Sequence, residues 1–147
     1  LVGCRTAVPE FPVPAESWKA HVGQLHYTRE GRSIIGDVVV RHLGEDFQLE
    51  FTKGAGEPLL RVLQHGDFVR VDGTFARLGW HGHIESAPAA LAGWVSLRHA
   101  FMTRPHSTAP RRDPGLFIER VEPRGRLERH VVARRTAAER FVFDFAR

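Results

Sequence analysis

Between Phe47 and Lys53 the chain alternates without interruption. Phe47, Leu49 and Phe51 fall on one side of an extended backbone, and Gln48, Glu50 and Thr52 on the other. Successive side chains of a strand point to opposite faces, so this segment belongs to a sheet with one dry and one wet face. Segments 21–28, 33–41, 59–64 and 68–72 extend the pattern on both sides of it. In the last of these, Phe68 lies opposite Val69 and Val71. Turn residues separate them at Glu30-Gly31-Arg32, Leu43-Gly44-Glu45-Asp46, Gly54-Ala55-Gly56-Glu57-Pro58 and Gly66-Asp67. Gly36 inside a β-branched run predicts a bulge or bend. A glycine-spaced stretch, 76–84, reads as a further irregular strand. The period then changes. Leu91, Trp94, Val95, Leu97, Phe101 and Met102 follow helical spacing, which predicts one amphipathic helix over 88–102 with Ser86 as a candidate cap. Three more strands follow at 116–121, 127–133 and 141–145. Short connections favour an antiparallel meander, and the fold class expected is α+β: a curved antiparallel sheet with a covering amphipathic helix.

Composition sets the outer limits. The 147 residues suit one domain and bury enough surface to need no disulfide or metal. The single cysteine excludes an intramolecular disulfide and a Cys-based zinc finger. The basic excess, 21 Lys+Arg against 17 Asp+Glu, is unevenly placed. Residues 1–102 hold 10 basic and 11 acidic groups, whereas 103–147 hold 11 and 6. Such a basic region attracts anionic headgroups or nucleic acid.

Leu1-Val2-Gly3-Cys4 resembles the lipobox of bacterial lipoproteins, in which the cysteine thiol carries the lipid. The resemblance implies lipid attachment at Cys4. Residues 5–15 hold Pro9, Pro12 and Pro14 and read as an extended tether, which divides the chain into a 1–15 anchor segment and a 16–147 domain. A short helical entry is expected at 14–18. Arg5 stands where lipoproteins retained at the inner membrane commonly carry Asp. The resemblance therefore implies the outer membrane, facing the periplasm.

A lipobox cysteine, a proline-bearing tether, a strand meander, a helix with a central Trp94, a proline-containing loop and terminal strands together resemble the LolA/LolB-like family of periplasmic lipoprotein carriers. Within that family the lipid-anchored LolB-like branch is nearest. The stretch that carries the likeness runs from Phe47 to Phe101. It includes Gln48 to Gly54, Leu60-Arg61-Val62-Leu63, Gly66 to Val71 and Ser86 to Leu97. The resemblance implies an unclosed half-barrel with a hydrophobic groove that accepts acyl chains or acylated lipoproteins, served by a soluble LolA-like carrier. The implied groove residues are Val38, Val40, Leu49, Phe51, Leu60, Val62, Val69 and Val71 on the sheet. Leu91, Trp94, Leu97 and Phe101 would cover them. The same residues equally suit a closed core, in which case the chain is a structural or interaction lipoprotein of the envelope. The family's membrane-facing loop corresponds to 54–59, where only Leu59 is apolar enough for that role.

Other chemistries fit less well. His81-Gly82-His83 places two imidazoles on one strand face, with His99 as a distant third, but no metal site is expected. No nucleophile, zinc-protease or phosphate-loop pattern is present, so no enzyme activity and no cofactor are expected. Arg111, Arg112, Arg124, Arg126, Arg129, Arg134 and Arg135 suggest a nucleic-acid surface. The aromatics that would stack on bases (Phe117, Phe141, Phe143 and Phe145) alternate as core residues do. A monomer that binds lipid and no nucleic acid is the expectation.

Overall fold

The computed structural model describes residues 10–54, 56, 58–102, 116–134 and 138–147. Among the described residues, nine antiparallel strands form one sheet. They are β1 (Lys19–Arg29), β2 (Arg32–Leu43), β3 (Asp46–Thr52), β4 (Pro58–His65), β5 (Phe68–Asp72), β6 (Trp80–His83), β7 (Leu116–Arg124), β8 (Leu127–Arg134) and β9 (Glu139–Ala146). Their spatial order is β6-β5-β4-β3-β2-β1-β9-β8-β7. Two meanders therefore join where the first strand pairs with the last. The sheet is curved and unclosed, with β6 and β7 as its edges.

The alternating residues set the faces. Leu25, Val38, Val40, Phe47, Leu49, Phe51, Leu60, Val62, Val69, Val71, Phe141, Phe143 and Phe145 lie on the inner face and are buried in one hydrophobic core. Each such side chain contributes about 1.5–3 kcal/mol when fully buried. Gly36 pairs with Leu25 on that face. A Cβ there would meet the Thr52 carbonyl oxygen at 2.3 Å and the Phe51 ring at 2.7 Å. Only a hydrogen side chain lets β2 pass so close to the end of β3, and the β1–β2 register runs through Gly36 without a bulge.

The helical region differs from expectation. In place of one helix over 88–102 there are α1 (Ala92–Val95) and α2 (Leu97–Met102). Ser96 breaks them apart. Its hydroxyl donates to the Ala92 carbonyl at 2.7 Å, and its N–H turns to the Gly93 carbonyl at 3.2 Å. Side-chain competition of this kind bends and interrupts short helices. The apolar spacing survives the break: Leu91, Trp94, Val95, Leu97 and Ala100 are buried in the core. Trp94 packs between Tyr27, Phe141 and Phe51 at ring distances of 4.7, 4.9 and 5.8 Å. Phe101 sits over Phe143, Phe145 and Phe47 at 5.1, 6.0 and 6.3 Å.

Two further expectations change. The 76–84 strand begins only at Trp80, because Thr74–Ala76 form a 3-10 turn ended by Arg77 at φ 45°. The helical entry at 14–18 is a turn, closed by the Trp18 N–H on the Ala15 carbonyl at 3.0 Å. Ahead of it the chain lies on the outer face. Gln48 donates to the Pro12 carbonyl at 2.9 Å, and the Phe11 and Phe68 rings are 6.2 Å apart.

Candidate functional site

The expected groove residues do come together, but as packed core. Val38, Val40, Leu49, Phe51, Leu60, Val62, Val69, Val71 and Leu97 are each at most 1% exposed, with Trp94 at 2% and Leu91 at 8%. Phe101 is partly buried against the same cluster. Leu59, expected at the edge of the 54–59 loop, is the second residue of β4 and packs partly buried on the core. Among the described residues the most exposed large apolar side chain is Leu78, in the turn between β5 and β6. Cys4, Arg111, Arg112 and Arg135 lie outside the described residues.

A pocket of about 660 Å³ opens at the β1–β2 hairpin end of the sheet. It is lined by Tyr27, Arg29, Glu30, Arg32, Ser33, Ile34, Phe75, Ala90, Leu91 and Trp94. Of the residues singled out from the sequence, only Leu91 and Trp94 belong to it. The lining divides by chemistry. Ile34, Phe75, Ala90, Leu91 and the two large rings form an apolar wall, and Arg29, Glu30, Arg32 and Ser33 form a polar rim. Its size lies in the range of small-ligand sites.

The rim is built by a tight turn. Arg29 ends β1, Arg32 begins β2, and the two are direct cross-strand partners. Glu30 and Gly31 between them have φ of 51° and 78°. A two-residue hairpin turn demands such values at both positions, and glutamate is a poor occupant of one.

Behind the pocket lies a buried carboxylate. Glu139, the first residue of β9, has a side chain with no exposure. The Tyr27 hydroxyl donates a short hydrogen bond to its Oε2. Arg29 Nη1 stands 3.9 Å from Oε2, and Arg134 Nη1 4.0 Å from Oε1. Oε1 has no hydrogen-bond partner among the described residues. Burial pushes the Glu139 carboxyl above its ordinary range, against the opposing pull of Tyr27 and the two arginines. Burial, together with the Glu139 hydrogen bond, likewise raises the Tyr27 hydroxyl. The carboxylate seats α1 as well: a Cβ on Gly93 would lie 1.9 Å from Oε1. Arg29 also donates to the Ala90 carbonyl at 3.1 Å, so the same side chain ties β1 to the segment before α1.

At the opposite end of the inner face, His21 and His42 stack with ring centroids 5.5 Å apart and Nε2 atoms 3.4 Å apart. Burial lowers both imidazoles from their ordinary value. On the outer face, His81 and His83 flank Phe68 at 6.4 and 5.9 Å. No cluster of three or more His, Cys, Asp or Glu suited to a metal ion occurs among the described residues. Part of the arginine-rich surface is already engaged: Arg129 binds Asp144 through two hydrogen bonds of 2.7 and 2.8 Å, and Arg134 stands beside Glu139.

Tyr27, Arg29, Arg32, Ile34, Phe75 and Glu139 went unrecognised in the sequence. The one local signal was Arg-Glu-Gly-Arg, which places two arginines in register across a turn. No family model matches the chain, and no curated protein matches it significantly.

Proposed function

We propose that this chain is a LolB-like, lipid-anchored envelope protein that binds an acyl chain or an acylated protein at the hairpin-end pocket. The observation that carries the reading is the pocket itself: apolar on one wall, polar at the rim, and large enough for part of an acyl chain. Withdrawing a chain from water gains about 0.8 kcal/mol per buried methylene, so a dry wall of this kind holds it without covalent chemistry. The anchor is Cys4. Residues 11 and 12 lie on the outer face of the sheet, at Phe68 and Gln48. Membrane contact falls to Leu78 rather than Leu59, because its turn also supplies Phe75 to the pocket wall. The pieces of α1 and α2 act as the cover expected of a helix, by filling the hollow of the sheet. On this reading the protein faces the periplasm at the outer membrane, takes cargo from a soluble LolA-like carrier, and catalyses nothing.

One observation favours a second reading. The interior beneath α1 and α2 is filled, which suits a structural or interaction lipoprotein with a closed core. A fluorescent acyl probe titrated into the purified chain separates the two. Saturable binding, displaced by unlabelled acyl chain and lost in a folded Ile34→Arg variant, supports the pocket. A folded chain that binds no probe supports the closed-core protein.

A further inference from the structure

We infer that the pocket rim is an anion clamp, in which Arg29 and Arg32 hold the carboxylate or phosphate head of an amphiphile whose chain lies on Ile34, Leu91 and Trp94. This rests on the acyl-binding reading and narrows it to anionic amphiphiles. Three observations converge on it.

The first is a like-charge pair that is only partly compensated. Arg29 and Arg32 are direct partners across the hairpin and line the same pocket. Like charges opposed in this way destabilise a strand pair. Arg29 is partly neutralised by Glu139 at 3.9 Å. Arg32 is exposed and makes no hydrogen bond or ion pair among the described residues. An anion placed between the two would relieve the repulsion and engage the Arg32 guanidinium, which has no partner among the described residues.

The second is the turn that sets the pair in place. Glu30 is held at φ 51°, a conformation that disfavours ordinary side chains. Strain that persists at the edge of a pocket is commonly tied to what the pocket does. The third is the division of the lining. The guanidiniums stand at the rim and the apolar side chains line the wall, the arrangement that a charged head on an alkyl chain requires. A guanidinium suits the task because its planar fork meets carboxylate and phosphate oxygens two at a time.

Isothermal titration of the full 147-residue chain tests this. The ligands are dodecanoate, dodecyl phosphate, dodecanol and inorganic phosphate, each below its aggregation limit and at low salt. Dodecanoate or dodecyl phosphate should bind about tenfold or more tighter than dodecanol, as hydrogen bonds to a charged group imply. The tighter of the two distinguishes a fatty-acid head from a phospholipid head. Arg32→Gln should return that ligand to the affinity of dodecanol and leave dodecanol unchanged. Glu30→Gln, which removes the competing rim carboxylate, should tighten the anions alone. Added salt should erode the advantage, because exposed charges are screened. Equal binding of dodecanol and both anions overturns the clamp and leaves the acyl pocket standing. So does an anion advantage that survives Arg32→Gln. Inorganic phosphate that binds as tightly as dodecyl phosphate overturns the amphiphile assignment instead, because the alkyl chain would then add nothing. Absence of binding by every ligand removes both the clamp and the pocket reading.

Discussion

Glu139 is the residue at which stability and the candidate site meet. Its carboxyl is raised by burial, so the folded state holds a proton that the unfolded chain releases near pH 4.5. The sign follows from linkage: stability is greatest below that pH and declines as pH rises through the folded value. Glu139→Gln keeps a carbonyl acceptor for the Tyr27 hydroxyl and removes the buried charge. The variant should therefore be more stable than the parent at pH 7, with the difference closing as pH falls toward 4.5. Urea unfolding at a series of pH values checks this, and a variant less stable than the parent at pH 7 contradicts it. His21 and His42 act in the opposite sense. Their folded values are lowered, so the unfolded chain takes up protons first and stability declines as pH falls below about 6.5. His42→Gln should flatten that decline. Glu30 offers a test of the turn's backbone conformation. Glu30→Asn creates Asn-Gly at a turn with positive φ at both positions, and should stabilise the chain by about 0.5–1 kcal/mol. A thermal melt with no upward shift counts against strain at that turn.

At the scale of elements, α1 depends on a glycine for its seat. Gly93→Ala drives a methyl group into the Glu139 carboxylate, which is buried and held by Tyr27. Overpacking of this kind costs about 1–3 kcal/mol. Glu139→Ala makes room, so the double variant should lose less than the sum of the single losses in a double-mutant cycle. Additive losses would show that Gly93 and Glu139 do not meet. This contact also marks where the sequence stops being readable. Strands with one wet and one dry face declare themselves: the alternation at 47–53 and the Phe68–Asp72 segment emerge within a residue of their observed bounds. The helix did not, because its apolar spacing is real while Ser96 redirects the backbone hydrogen bonds that spacing leaves unseen. The irregular strand expected over 76–84 starts four residues late, at Trp80, because glycine spacing does not reveal positive φ at Arg77. The core residues were legible as apolar, but alternation cannot separate a filled interior from an open groove. The pocket was hidden for another reason. Its wall and rim come from the β1–β2 turn, the β5–β6 turn and the start of α1, which meet only in the folded chain.

For the whole molecule the question is whether its interior and its site are one object or two. The sheet joins its first and last strands through β1 and β9, and the aromatic side chains of both pack around Trp94. Leu49 lies in the middle of this interior at 1% exposure, well inside the cluster and absent from the pocket lining. If the core is packed material, Leu49→Ala removes contacts that ligand never uses. It should cost about 2–5 kcal/mol of stability and leave acyl-probe affinity within twofold, provided the temperature is kept below the lowered melting point. Leu49→Glu should not yield a folded protein at all, because an unpaired carboxylate at that depth has no partner to offset its desolvation. Ile34→Arg, at the pocket wall, should do the reverse and abolish probe binding with little loss of stability. Stability and probe binding measured on the Leu49→Ala and Ile34→Arg variants separate the two architectures. A Leu49→Ala chain that keeps its stability but changes its probe affinity or stoichiometry would mean that acyl chains enter the hollow of the sheet itself. The core would then be a groove that closes only when empty, and the hairpin-end pocket would be its mouth.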